Sequence, residues 1–182
     1  MTTRYSTFVK PEGIWWHRLG RDERLWVGLA VVWGLAMFVM ISFIWPLVGR
    51  QQNAIAAHRI TPAEFQARVD QFSTRYRVGE VAGIPVVAPP PGDVFLMSQT
   101  FAWRPILQLK QGERYRLLIS SRDVQHGFSI LMPRKSVNFQ VLPGYITEIE
   151  LRPEQTGEFP IVCNEYCGLG HHLMIGRIIV TN

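Results

Sequence analysis

The chain has 182 residues, 47% of them apolar and 18% charged, with a formal net charge of +5. That length holds one ordinary domain and an appendage and excludes a large multidomain enzyme, while the apolar share excludes intrinsic disorder. A nucleic-acid surface is excluded too: residues 51–182 carry 13 Lys+Arg against 11 Asp+Glu, residues 1–50 carry 6 against 3, and no basic cluster stands out.

Residues 1–24 are expected to be a cytoplasmic N-terminal segment. From Leu25 to Gly49 no charged residue occurs, and at about 1.5 Å per residue a helix of that length reaches roughly 37 Å, enough to cross a hydrocarbon layer of about 30 Å. Trp26 and Trp45 sit near its two ends, where an aromatic belt is expected, and Pro46 falls in the last turn, where few helical hydrogen bonds remain to be lost. Ala54-Ile55-Ala56 reads as a cleavage site for a secretory leader, but the apolar run is longer than a leader core of about 7–15 residues. We therefore expect a single retained transmembrane helix over residues 25–49. Arg4, Lys10, Arg18, Arg21 and Arg24 precede it, against Arg50, Arg59 and Arg68 soon after it. This bias places the N-terminus in the cytoplasm and the rest of the chain outside the cell membrane.

Residues 50–92 read as a short helix and a linker. Thr61-Pro62-Ala63-Glu64 has a capping Thr, Pro at the first helical position and Glu three residues after the cap; Phe65, Val69 and Phe72 then share one face. Gly79, Gly83, Pro85 and Pro89-Pro90-Pro91-Gly92 break any helix, so residues 73–92 are expected to be a linker.

In residues 93–182 the apolar period changes to two. Tyr115, Leu117 and Ile119 alternate with their neighbours, as do Tyr145, Thr147, Ile149 and Leu151, and further strands are expected at 94–102, 106–109, 128–131, 137–142, 158–162 and 175–181. Short strands without intervening helices imply an all-β antiparallel sandwich or barrel.

The chemistry is concentrated in Cys163-Asn164-Glu165-Tyr166-Cys167-Gly168-Leu169-Gly170-His171-His172-Leu173-Met174, which holds the chain's two cysteines. A disulfide is the first reading for an exported domain, but a bridge closing so short a loop restrains little chain and leaves the histidines and the methionine without a task. Soft sulfur donors favour copper or zinc. Zinc gains nothing from a thioether, and a mononuclear blue-copper site uses only one cysteine. The economical account is two copper ions bridged by both sulfurs and each terminated by one histidine, a centre suited to electron transfer. The loop supplies one histidine. His126, in Asp123-Val124-Gln125-His126-Gly127-Phe128 at a strand junction, is the candidate for the other.

This pattern, Cys-x-Glu-x-Cys-x-x-x-His-x-x-Met with an upstream Asp-Val-x-His, resembles the CuA domain of subunit II of haem–copper oxidases. The single anchor and the Asp123–Phe128 segment look most like the B-family cytochrome c oxidases, the A family usually having two spans. The resemblance runs from about Phe101 to the C-terminus and implies a cupredoxin-like Greek-key sandwich behind the membrane helix. It makes Cys163 and Cys167 the bridging thiolates, His126 and His171 the terminal imidazoles, Met174 a weak thioether ligand and Glu165 a ligand through its backbone carbonyl. His171 rather than His172 keeps the family's gap after Cys167. The resemblance further implies magnesium held by the Glu165 carboxylate at the boundary with subunit I, although some B-family members have Gln there. Phe101 and Trp103 match the aromatic segment where the electron donor docks, with core packing as the alternative for each ring. Glu23 stands where the B family uses a glutamate at a proton entry, with an ordinary interfacial charge as its alternative. The implied partners are cytochrome c as donor and a haem-bearing subunit I as acceptor. A CuA subunit of a related nitric oxide reductase, a copper carrier and a structural zinc module are the competing readings. Nitrous oxide reductase would need a further catalytic domain, and a quinol oxidase subunit would lack the ligands.

Overall fold

The computed structural model describes residues 20–48, 56–133 and 135–182, with the side chain of Lys135 excepted. Most of the expected cytoplasmic segment and residues 49–55 lie outside them. The chain divides into two compact units, split between Gln51 and Gln52.

The first unit contributes one continuous helix, α1 (Arg21–Val48), long and apolar enough to cross a membrane and with no buried side chain. Its Met40–Ile44 turn is π-helical, directly before Trp45 and Pro46. Pro has no N–H to give to a preceding carbonyl, so a widened turn here accommodates a ladder that is already interrupted. Glu23 occupies the first turn, where its carboxylate accepts a hydrogen bond from the Gly20 amide at 2.7 Å.

The second unit is a sandwich. It begins with β1 (Ala56–Arg59) and α2 (Pro62–Tyr76), followed by β2 (Arg77–Val81), β3 (Ile84–Val87), β4 (Gly92–Gln99), β5 (Ala102–Arg104) and β6 (Ile106–Lys110). The remaining strands are β7 (Tyr115–Ser121), β8 (His126–Met132), β9 (Lys135–Val141), β10 (Tyr145–Leu151), β11 (Gly157–Val162) and β12 (Ile175–Thr181). One sheet has the order β1-β10-β7-β4-β5 and the other β2-β3-β6-β12-β11-β8-β9. Expected as antiparallel, the sheets are mixed: β4 runs parallel to β7, and β6 parallel to both β3 and β12.

Alternation along the strands builds two cores. Val94 and Leu96 of β4, Leu117 and Ile119 of β7, and Ile149 and Leu151 of β10 face the interior with Leu107, Phe128, Ile130 and Ile178. Met97, Leu118 and Ile146 instead form a second core with Phe65 and Val69 of α2. The helix therefore covers the other face of the five-stranded sheet, which is why that face is not polar. Burying each such aliphatic or aromatic side chain stabilises the fold by roughly 1.5–3 kcal/mol.

The linker expected at residues 73–92 is not one. The helix continues to Tyr76, and the next residues form the β2–β3 hairpin with Ala82 (φ 50) and Gly83 (φ 77) at its turn. Two successive positive φ values suit the right-handed twist of a tight hairpin, so the glycine that read as a breaker turns a ribbon instead. Val87 is fully buried, and β3 joins the sheet beside β6. The expected strand at 94–102 is likewise two, because the chain reverses at Thr100 and Phe101 between β4 and β5.

Candidate metal centre

Antiparallel pairing of β11 with β12 ends at Val162 opposite Ile175, and the twelve residues between them make one excursion from the sheet. Its neck is closed by the Cys163 amide donating to the Met174 carbonyl at 3.2 Å. Gly168 (φ 124) and Gly170 (φ 116) hold conformations that side chains disfavour, and a short 3-10 turn at His171–Leu173 returns the chain to β12. The amides of His171 and Leu173 donate to the carbonyls of Gly168 and Gly170 at 3.1 and 2.9 Å. Local hydrogen bonding thus stiffens a segment with little regular structure.

The loop is pressed against β8, where Gly127 is obligatory. A Cβ at that position would lie 2.0 Å from Asn164 Oδ1 and 2.8 Å from the Glu165 amide nitrogen. This close approach brings His126, the first residue of β8, against the sulfurs.

Six donors converge. Cys163 Sγ and Cys167 Sγ are 3.9 Å apart, with His126 Nδ1 3.8 Å from the first and His171 Nδ1 3.5 Å from the second. Met174 Sδ lies 3.7 Å from Cys167 Sγ, and the Glu165 carbonyl oxygen 3.2 Å from Cys163 Sγ. His126, both cysteines and Met174 are buried, His171 is half-buried and His172 is exposed. Both thiols are free. Burial pushes the Cys167 thiol up to about 11, with its Cys163 neighbour adding to the shift. A metal bound there must displace a proton held more tightly than in a free cysteine.

The donor set selects its ion. Two thiols, two imidazoles and a thioether are soft or borderline donors, which fit copper, and six convergent donors exceed the four that structural zinc takes. One imidazole nitrogen stands within 3.8 Å of each sulfur, an arrangement with room for donors to more than one ion.

The remaining expected residues fall into two groups. Phe101 lies half-buried over the loop, near where Cβ atoms on Gly168 and Gly170 would stand, 3.6 and 2.9 Å away. Trp103 is 2% exposed and cannot offer a ring to a docking protein. It packs edge-on against Phe128, 6.3 Å from the His126 ring and beneath Gly176, where a Cβ would stand 2.6 Å from its own. Among the described residues its indole nitrogen has no hydrogen-bond partner.

Sequence reasoning missed the supports behind the donors. Asp123 Oδ1 lies 2.9 Å from His126 Nε2, and the carboxylate also accepts from the Thr100 amide at 2.7 Å, the Val124 amide at 2.7 Å and the Thr100 hydroxyl. Partial burial works to raise the Asp123 carboxyl, but these donors outweigh it and hold the group well below the usual carboxylate range. From β9, Asn138 Oδ1 accepts from Asn164 Nδ2 at 2.8 Å, and Gln140 Nε2 donates to Glu165 Oε2 at 3.4 Å. The one available signal was Asp123 three residues before His126.

Comparisons with known proteins indicate the family. The family described as "Cytochrome C oxidase subunit II, periplasmic domain" matches residues 103–181. A cytochrome c oxidase subunit 2 of Thermus thermophilus is 31% identical over 125 residues, covering 66% of this chain and 91% of that protein. A second one, also from Thermus thermophilus, is 29% identical over 164 residues, covering 87% and 90%. Among solved structures, a chain of a heme-copper terminal oxidase dimer superposes with a TM-score of 0.58 at 21% identity, over 88% of this chain and all of that one, a likeness of fold.

Proposed function

The chain belongs to the cytochrome c oxidase subunit 2 family, and from that premise we propose that it holds a dinuclear CuA centre, accepts electrons from cytochrome c and passes them to haem in subunit I, where oxygen is reduced. The observation that carries this reading is the pair of thiols 3.9 Å apart, each with one imidazole nitrogen within 3.8 Å. A copper pair bound by these residues supplies reversible one-electron chemistry. Cys163, Cys167, His126 and His171 would hold it, with the Met174 sulfur and the Glu165 carbonyl as weaker donors. The protein's work is to keep those donors in place and dry, since an electron carrier reacts fastest when its surroundings need not rearrange.

The donor meets the loop side of this centre. Tyr166, Leu169 and Leu173 are exposed there, Leu169 at 92%, while the outer residues are close to charge balance, 13 basic against 11 acidic. An apolar contact governed by shape rather than long-range steering fits both facts. Phe101, lying over the same loop, is the aromatic element of that face. The Glu165 carboxylate is a hard oxygen donor of the kind magnesium takes, for use at the boundary with subunit I, and the five basic residues ahead of the apolar run at Leu25, against three soon after it, support an N-terminus in the cytoplasm.

Copper-loaded full-length protein in detergent tests the reading. The expected result is two coppers per chain, a purple colour and a paramagnetic spectrum of one unpaired spin shared by two nuclei. A single copper per chain, or a colourless zinc-bound form, overturns it. Turnover of oxygen against nitric oxide by the assembled complex separates an oxidase from a related reductase.

A further inference from the structure

The two imidazoles beside the sulfurs are supported unequally. His126 is fully buried and is hydrogen-bonded through Nε2 to Asp123. His171 is half-buried, and among the described residues its neighbours are the Cys167 sulfur and the Tyr166 ring, centroids 6.0 Å apart, with no carboxylate bonded to it.

Asp123 is itself immobilised. One oxygen takes both the amide and the hydroxyl of Thr100, from the turn between β4 and β5, and the other takes the Val124 amide and faces His126. An ionised carboxylate can only accept hydrogen bonds, so the proton of a neutral His126 sits on Nε2 and the lone pair on Nδ1, the atom 3.8 Å from Cys163 Sγ. A hydrogen bond from an imidazole to an anion also pushes electron density toward the other ring nitrogen and raises its basicity as a ligand.

Building on the dinuclear reading above, we propose that Asp123 is a positioning residue that fixes the tautomer of His126 and makes it the stronger electron donor of the two terminal imidazoles. The copper pair is then electronically lopsided. Its more oxidised character leans toward the His126 end, and its reduction potential is lower than the same ligands would give without the carboxylate. Thr100 tunes the effect in the opposite sense. Its hydroxyl draws charge from the carboxylate, so removing it strengthens the bond to His126.

Two substitutions in the full-length, copper-loaded protein test this. Asp123→Asn keeps the shape and removes the negative charge; two coppers are retained, the midpoint potential shifts upward, and the paramagnetic shifts of the His126 ring protons fall relative to those of His171. Thr100→Val removes the hydroxyl while leaving the carboxylate, and shifts the potential downward. Opposite signs are the signature, because general loosening of the site moves both variants the same way. Unchanged potentials, or shifts of one sign, in variants that still hold two coppers overturn the proposal while leaving the dinuclear reading intact. Should Asp123→Asn fail to load, nitrogen NMR of the metal-free wild type decides: a proton on His126 Nε2 supports the proposal and one on Nδ1 overturns it. Failure of the wild type itself to hold two coppers overturns the dinuclear reading instead.

Discussion

The two ends of the donor set are built on different principles. At the His126 end a strand residue is fixed by its own ladder, by Asp123 and by the aromatic packing of Trp103 and Phe128. At the His171 end the imidazole rides on a loop with two positive-φ glycines, and Leu169 and Leu173 nearby are exposed. Rigidity inside and accessibility outside are hard to combine in one element, since a fully buried ligand cannot meet a partner and a fully exposed one is poorly held. Dividing them between a strand and a loop satisfies both, with the cysteines joining the halves.

Removing that joint is the harshest test. In the proposed centre Cys163→Ser or Cys167→Ser deletes one of two bridges, and we expect complete loss of the mixed-valence spectrum from either, whichever half the cysteine serves. A retained two-copper signal in either variant breaks the symmetry of the arrangement. Next in size is Gly127→Ala, at the contact between the halves. A Cβ there meets the Glu165 backbone nitrogen at 2.8 Å, and backbone cannot swing aside as a side chain can. Overpacking of this kind costs about 1–3 kcal/mol, seen as a lower unfolding midpoint, with reduced copper retention as the loop lifts from His126.

Legibility in the sequence followed the range of the interactions. The loop chemistry was readable because its five side-chain and carbonyl donors fall within twelve residues, and α2 was readable because Thr61, Pro62 and Glu64 are local instructions, with Phe65, Val69 and Phe72 all buried as its pattern required. Strand β1 was not, because Ala56–Arg59 becomes a strand only by pairing with β10 almost ninety residues later. The Asp123 support is non-local too, needing Thr100 from another strand connection earlier in the chain. Between a docking ring and core packing the sequence left Trp103 open, because aromatic character alone does not decide, whereas the missing side chain at Gly176 that lets β12 lie over it is visible only in three dimensions.

Gly170→Ala addresses the outer end alone. Its φ of 116 disfavours any side chain, and the added methyl would stand 2.9 Å from the Phe101 ring. Strain of this type costs on the order of 1–3 kcal/mol, part of which an exposed loop releases by shifting. We expect the copper spectrum to survive and electron uptake from cytochrome c to slow; adding Phe101→Leu should restore part of the lost stability. If Gly170→Ala abolishes copper binding as Gly127→Ala is expected to impair it, the two ends are not separate. Met174→Leu should be milder still. The volumes are similar, so stability changes by less than about 1.5 kcal/mol, and a weak ligand is lost, leaving a two-copper centre with an altered potential. Identical spectrum and potential would remove Met174 from the ligand set.

The smallest effect belongs to a site remote from both ends. Asp93 lies near the start of β4 and Thr100 just past its end, seven residues on, so at about 3.3 Å per residue Asp93 stands roughly 23 Å from Thr100. Its carboxylate takes Arg116 Nε and Nη2 at 2.7 and 2.6 Å, and this paired hydrogen bonding holds its carboxyl below the ordinary value. A carboxyl whose folded value is depressed contributes stability above its unfolded value, near pH 4, and loses it as pH falls through the lower folded value. Asp93→Asn should therefore flatten the acid limb of the stability curve below about pH 4 and slightly lower stability at neutral pH, by little because both partners are nearly half exposed. Copper content and potential should stay as in the wild type. A shifted potential in this variant would mean that the sandwich carries strain from its far edge to the metal, and the division into a rigid inner end and an accessible outer end would then have to include the whole five-stranded sheet.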